Sequence, residues 1–435
     1  MTDRSDYTCD VLIVGAGPAG IAAAVSASDA GASVVVVDDN ASPGGQIWRG
    51  SAPEEGLGTK TPAGSKKALN WFERFSASAR IFLGNTRVIS SLGTGLVLAE
   101  GPAGASRLRY GRLVLATGAR ERFLPFPGWT LPNVLGAGGL QALVKSGLPI
   151  EGKRIVIAGS GPLLMAVASA LQRKGAEVCG VFEQSPVSQL VPFALALSTQ
   201  MNVATEAVGY VRDVGLRRYH TGWWPVSARG DQTLSSVELT NGKRKLEIEC
   251  DYLACSFHLV ANTEAAALLG CAVEDGRVVA DEFQRTSVEG IYSAGEVAGI
   301  AGLSAALVEG QIAGLAAANV SERARPLLAR RNQLRRSARR MDKAFALRKE
   351  LRSIAKEETI VCRCEDVRWH DLKECSSTRG AKIYTRCGMG PCQGRICGAA
   401  LQFLCGWEPE SVRPPLYPAQ LSTLLTAAAN LKENL

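Results

Sequence analysis

Seven of the twelve cysteines in this chain fall between residues 362 and 405. Val361-Cys362-Arg363-Cys364-Glu365-Asp366 places two thiols one residue apart, and Arg386-Cys387-Gly388-Met389-Gly390-Pro391-Cys392 places two more five positions apart, with Cys397 following. In a reducing compartment such crowding favours metal or redox chemistry over disulfides. Two close thiolate pairs satisfy a four-sulfur site for [2Fe–2S] or Zn²⁺, and spacing alone leaves both open. The glycines beside Cys387 and Cys392 free backbone N–H groups to face sulfur. Cys9, Cys179, Cys250, Cys255 and Cys271 lie among apolar neighbours and read as small buried hydrophobes. With only three histidines, no His-based acid–base machine is expected, and no catalytic residue is assigned.

A second chemistry is written in glycine. The apolar run Val11–Val14 leads into Gly15-Ala16-Gly17-Pro18-Ala19-Gly20, then an Ala-rich helical stretch, then Ser33–Val37 ending at Asp38, 18 residues after Gly20. Strand, glycine turn, helix and terminal acid form the dinucleotide fingerprint. Its glycines allow a tight turn and close approach of N–H groups to a pyrophosphate, and the acid is placed for ribose hydroxyls. Ser42-Pro43-Gly44-Gly45-Gln46 reads as an ordinary turn or as backbone passing close to a flat cofactor. Arg112–Ala119 is a buried strand ending in Thr117-Gly118, and Ile291–Glu296 is another ending in Gly295-Glu296.

Between these pieces lies a second unit of the same kind. Lys153–Ala158 is a strand, Gly159-Ser160-Gly161-Pro162-Leu163-Leu164 the turn, Met165–Lys174 a helix, and Glu177–Phe182 a strand ending at Glu183. Leu164 stands where the third glycine belongs, so this unit reads equally as a nucleotide site or as a structural relic. Thr240-Asn241-Gly242 signals a hairpin within Ser235–Leu246. No CxxC occurs in the inserted region, which excludes a thioredoxin-reductase-type dithiol there.

The 435 residues, 46% hydrophobic and 21% charged, suit a folded chain of two to four domains. No apolar run reaches the ~18 residues of a membrane span, and a cytoplasmic protein without a signal peptide is expected. The net charge of +8 is concentrated between 323 and 352, where twelve Lys and Arg face only Asp342 and Glu350, a local +10. Leu327, Leu334, Ala338, Met341 and Phe345 recur there at helical spacing. The segment therefore reads as an amphipathic linker helix with a solvated or partner-facing basic side, not a nucleic-acid site. Trp223-Trp224 reads as a partner surface or a packed loop.

Residues 7 to about 320 resemble the α/β flavoproteins with two dinucleotide-binding domains, the glutathione/thioredoxin reductase-like superfamily. The resemblance implies that Gly15, Gly17, Ala19, Gly20 and Asp38 hold the ADP half of FAD, or another adenine nucleotide. It places Gly45 and Gln46 near the flavin, Thr117 and Gly118 near the pyrophosphate, and Gly295 and Glu296 near the ribityl chain. The family usually has Asp where Glu296 stands. CRCEDV with TRCGMGPCQGR resembles the small bacterioferritin-associated-ferredoxin-like (BFD-like) [2Fe–2S] domain at the C-terminus of α subunits of heteromeric amine-oxidising flavoenzymes, of the opine oxidase, D-hydroxyproline dehydrogenase and hydrogen cyanide synthase type, related to sarcosine oxidase α. On that match the ligands are Cys362, Cys364, Cys387 and Cys392, with Cys375 and Cys397 outside the set. The implied division is a discontinuous first domain (7–150 and 255–320), an inserted second unit (151–254), a basic linker (321–356) and an iron–sulfur domain with tail (357–435). The implied function is an electron-transfer subunit. A secondary amine or imino acid is oxidised on FAD in a β partner of the D-amino-acid-oxidase type, with FMN at the subunit interface in several members and a small ferredoxin-like third subunit in some. The competing readings are a stand-alone NAD(P)H-dependent flavin oxidoreductase and a structural nucleotide-binding scaffold.

Overall fold

The computed structural model describes residues 6–49, 66–78, 80–197, 201–408 and 412–426. The chain divides into two compact units, one of residues 1–120, 261–338 and 411–435, the other of 121–260 and 339–410.

In the first unit, Tyr7–Val14 is a parallel strand between Val34–Val37 and the C-terminal half of Gly104–Leu115, with Val14 level with both Val37 and Leu115. Arg80–Leu83 extends the sheet beyond Val34–Val37, and Ile291–Ser293 joins Gly104–Leu115 in parallel. Leu96–Gly101 and Arg87–Ser91 continue it antiparallel from the other half of that long strand. Val11, Leu12 and Ile13 are fully buried on both sheet faces, which is why the strand reads as an uninterrupted apolar run.

The helix Pro18–Ser28 follows the first turn, and the helix Leu303–Ala317 lies against it. Glycine sets that closeness: a Cβ on Gly310 or Gly314 would come within 2.2 and 2.3 Å of the carbonyls of Ala19 and Ala23. Gly20 is tighter still, since a Cβ there would lie 1.7 Å from the Gly15 carbonyl oxygen. Gly20→Ala is therefore expected to force turn and helix apart and lower stability by about 1–3 kcal/mol, the usual cost of overpacking. An unchanged thermal midpoint would contradict this.

In the second unit Arg154–Ser160 is central, flanked in parallel by Glu177–Glu183 and Tyr252–Phe257. Tyr219–Thr221 and Val134–Gly136 complete the sheet at its two edges. The chain thus crosses into this unit at 120 and leaves it at 260, where the sequence suggested 150 and 255. Residues 121–150 belong with the second sheet because Val134–Gly136 pairs there. A meander of Trp224–Arg229, Ser236–Thr240 and Lys245–Glu249 packs beside it, its turn held by Asn241, whose Oδ1 accepts from the N–H groups of Lys243 and Arg244.

Residues 339–410 bring a short hairpin, Ile360–Cys362 with Val367–Arg368, and the helices Thr378–Thr385 and Cys397–Cys405. Leu351, Ile354, Ala400 and Leu404 join Trp129, Trp224, Val237 and Phe257 in one core, and Trp129 Nε1 donates to the Ile360 carbonyl at 2.6 Å. The cysteine segment is therefore built into the inserted unit, not appended to it. Among the described residues no helix is long and apolar enough to cross a membrane.

The basic segment is a helix, Arg325–Ala344, with Leu334 and Ala338 buried and Arg330, Arg336, Arg339 and Arg340 exposed, as its periodicity requires. Its basic side is not wholly solvated or partner-facing. Arg335 forms a doubly bonded ion pair with Glu309, which is fully buried, and Arg331 donates to the Asp281 carbonyl.

Candidate functional sites

The parallel strands of the first unit end together at Val14, Val37, Leu115 and Ser293, so the residues after each converge on one edge, where open α/β sheets bind ligands. Gly15 (φ +105°) lies so close to the Ala116–Thr117 backbone that a Cβ would meet the Ala116 carbonyl at 2.3 Å. Gly44 donates to the Ala16 carbonyl at 2.8 Å, and this hangs Gly45 directly over Gly17, 2.9 Å from where a Gly45 Cβ would be. Gly295 (φ +77°) presses on Ala19, leaving 2.7 Å between a Gly295 Cβ and the Ala19 methyl, so Ala19 too must be small.

Asp38, buried at the end of its strand, accepts from the Ala16 N–H at 2.5 Å and the Asn40 N–H at 2.8 Å. The acid thus ties the glycine turn to the second strand. Thr117 and Gly118 are clamped to Asn262: Thr117 Oγ1 donates to its carbonyl at 2.7 Å, and its Nδ2 donates to the Thr117 carbonyl at 2.9 Å. Gln46 is exposed and accepts from Arg49. The Glu296 carboxyl is raised above its ordinary range by burial, and no hydrogen bond or ion pair holds it among the described residues. The turn carrying it is held from behind: Glu309 accepts from the Gly295 N–H at 3.1 Å, and Arg335 Nη1 donates to the carbonyls of Ala298 and Gly299. Asn262, Glu309 and Arg335 carried no sequence signal for this role.

This edge suits an adenine dinucleotide. The helix Pro18–Ser28 has Gly17 at its N-cap, no side-chain cap and no acid in its first turn, so its opening N–H groups are left for an anion. Open space beside Gly118, where a Cβ would touch nothing, leaves room for a ligand.

The second turn repeats the acid–turn bond but not the packing. Glu183, fully buried, accepts from the N–H groups of Gly161 at 2.7 Å and Ser185 at 2.9 Å, as Asp38 does from Ala16 and Asn40. Leu164, however, is fully buried in the unit's core. Burial pushes the Glu183 carboxyl up to about 7, against the hydrogen bonds that lower it. Its native state therefore keeps a proton, between about pH 4.5 and 7, that the unfolded chain has lost. The stabilising difference is full below pH 4.5, falls as pH rises, and is gone above 7. It amounts to about 3 kcal/mol. Glu183→Gln should remove that slope; parallel stability-versus-pH curves for the two proteins would contradict it.

In the cysteine segment the sulfurs of Cys362, Cys387 and Cys397 lie within 4.8 Å of one another, all three buried. The S–H groups of Cys387 and Cys397 and the N–H of Gly388 (3.5 Å) converge on Cys362, holding its thiol far below the ordinary range and pushing its two partners up. Cys364 is exposed and hydrogen-bonded with Cys392. The structure thus gathers Cys397, which the resemblance left out, with two of the four it implies and sets the other two together as a neighbouring pair. A buried set of soft sulfur donors facing glycine backbone fits iron–sulfur or zinc. Trp224 opens the strand Trp224–Arg229 and is buried under the Arg348 guanidinium, so this residue packs within its unit.

Residues 9–323 match the model of the family described as "Pyridine nucleotide-disulphide oxidoreductase". Over 420 residues the chain is 32% identical to the HcnB subunit of hydrogen cyanide synthase from Pseudomonas aeruginosa, covering 89% of this chain and 90% of that one. An opine oxidase subunit from Agrobacterium tumefaciens is likewise 32% identical, over 97% of this chain and 92% of its own. In fold the chain resembles L-proline dehydrogenase from P. horikoshii, with a TM-score of 0.69 at 20% identity over 98% of this chain and 81% of that one.

Proposed function

The chain belongs to the pyridine nucleotide-disulphide oxidoreductase family, and on that premise we propose that it is the electron-relay subunit of a heteromeric flavin enzyme that oxidises a secondary amine or imino acid on a partner subunit. One observation carries the reading: a chain similar along nine-tenths of its length to subunits of hydrogen cyanide synthase and opine oxidase also gathers buried cysteine sulfurs within 4.8 Å. The substrate pocket belongs, on this reading, to an FAD-containing β subunit of the D-amino-acid-oxidase type, with FMN at the subunit interface.

Gly15, Gly17, Ala19, Gly20 and Asp38 would hold the ADP half of FAD. Gly45 and Gln46, Thr117 and Gly118, and Gly295 and Glu296 would line the rest of its course. Cys362, Cys364, Cys387, Cys392 and Cys397 supply the sulfurs from which a [2Fe–2S] centre takes four. When bound, flavin and cluster supply two- and one-electron transfer, and the protein fixes their positions and potentials. What this chain's own residues do is structural and electrostatic. The helix at Pro18 offers N–H groups to a pyrophosphate, Asp38 locks the turn that presents them, and Glu309 with Arg335 fixes the Gly295–Glu296 turn.

The test is a visible spectrum with iron, sulfide and zinc analysis of the chain purified alone and with the products of neighbouring reading frames. Nucleotides released on denaturation are identified chromatographically. Flavin bands with an iron–sulfur shoulder, bleached by an amine only in the complex, support the proposal. A colourless zinc protein releasing a non-redox nucleotide, even with its partner present, overturns it.

A further inference from the structure

At the second glycine turn a chain segment is bonded to both the turn and the residue after the terminal acid, whereas at the first turn Gly44-Gly45 bonds the Ala16 carbonyl and lies over Gly17. The chain leaving the basic helix, Phe345 to Arg348, lies on the carboxyl ends of the unit's two central strands. Ser160, between the two turn glycines, donates through Oγ to the Phe345 carbonyl at 2.9 Å. Gln184, next to the terminal acid Glu183, grips the same segment with both ends of its amide: Nε2 donates to the Ala346 carbonyl at 3.2 Å, and Oε1 accepts from the Arg348 N–H at 3.1 Å. Nε2 also donates to Ser160 Oγ at 3.1 Å, and Arg348 Nη1 donates to the Gln184 carbonyl at 3.3 Å. The ends of the segment are anchored by packing. Phe345 is buried edge-on to Phe193, ring centres 5.4 Å apart, and the Arg348 guanidinium lies 3.9 Å over the Trp224 ring. Ser160 and Gln184 are both buried beneath it.

These two positions border the places where a dinucleotide-binding unit meets pyrophosphate and ribose. The Glu183–Gly161 bond does not distinguish the two turns, since Asp38 bonds Ala16 in the same way. The segment over Ser160 and Gln184 does. We propose that Phe345–Arg348 is an internal strap that fills the mouth of the second dinucleotide crevice and keeps NADH and NADPH out. Ser160 Oγ and the Gln184 amide are satisfied by the segment's own backbone, so entry past them requires breaking that set of bonds and exposing Phe345. A site open only in a minor population binds with affinity reduced by that fraction. The strap therefore argues that reducing equivalents do not enter this unit from a nicotinamide. This inference stands whether or not the relay proposal does.

The test is titration of the full chain with NADH and NADPH, followed by calorimetry, for the wild type, Arg348→Ala and Phe345→Ala/Arg348→Ala, with folding checked by circular dichroism. Affinity rising about tenfold or more in a folded variant is expected. Affinity unchanged in folded variants, or as tight in the wild type as in a variant, overturns the proposal. Should both variants fail to fold, hydrogen exchange on the wild type decides. Slow exchange at 345–348 that saturating NADPH leaves unchanged supports the strap, and fast exchange there, or protection lost on adding NADPH, overturns it.

Discussion

Arg335→Met is expected to destabilise the first unit by about 3–5 kcal/mol, the cost of leaving a buried charge without its partner. Glu309 is fully buried on the Ala- and Gly-rich helix Leu303–Ala317, and both its oxygens are bonded by Arg335, at 2.5 and 2.6 Å. Surface ion pairs contribute little, but this one is enclosed, with Arg335 itself mostly covered and its Nη1 donors spent on the Ala298 and Gly299 carbonyls. Removing the cation strands a carboxylate that must either protonate or draw in water. The double variant Glu309→Gln/Arg335→Met removes both charges and should recover most of the loss, as replacing both members of a buried pair commonly does. Denaturant melts of the three proteins measure this. A single-variant loss under ~1 kcal/mol would show the pair to be solvated. Because Glu309 also accepts from the Gly295 N–H, the single variant should lose bound nucleotide more readily than the double.

That pair marks where the sequence stopped being legible. The glycine turns could be read because each glycine answers a local steric demand: Gly20 against the Gly15 carbonyl, Gly159 against the Ser256 carbonyl, 1.9 Å from its would-be Cβ. The terminal acids could be read because they sit at a fixed distance along the chain. Arg335 could be read as basic and helical but not as buried, because its partner lies 26 positions away in a helix whose composition advertises only packing. The same blindness affected the domain boundaries, since nothing in Val134–Gly136 says which of the two sheets it will join. The strap was hidden for a further reason. Its bonds use main-chain groups of Phe345, Ala346 and Arg348, which side-chain pattern does not encode.

Cys397 is the sharpest case, and it yields the second large effect. The resemblance leaves Cys397 outside the ligand set; it begins the helix Cys397–Cys405 and is buried against Cys362 and Cys387. Cys362→Ser should abolish bound metal and acid-labile sulfide entirely, because Cys362 belongs both to the set the resemblance implies and to the buried trio, and Gly388 N–H and two thiols converge on it. Cys397→Ser should do the same, whereas Cys375→Ser should leave metal and sulfide at wild-type levels. A serine oxygen replaces a soft thiolate by a poorer ligand without changing shape, so the unit should stay folded while the site empties. Iron, zinc and sulfide determination on each variant, with nucleotide content as the control for the first unit, separates the two ligand sets. If Cys397→Ser keeps its metal while Cys364→Ser and Cys392→Ser lose theirs, the buried trio is a packing arrangement and the resemblance was the better guide. If Cys362→Ser and Cys397→Ser are empty and nucleotide is retained, the fold has recruited a ligand that the resemblance excluded.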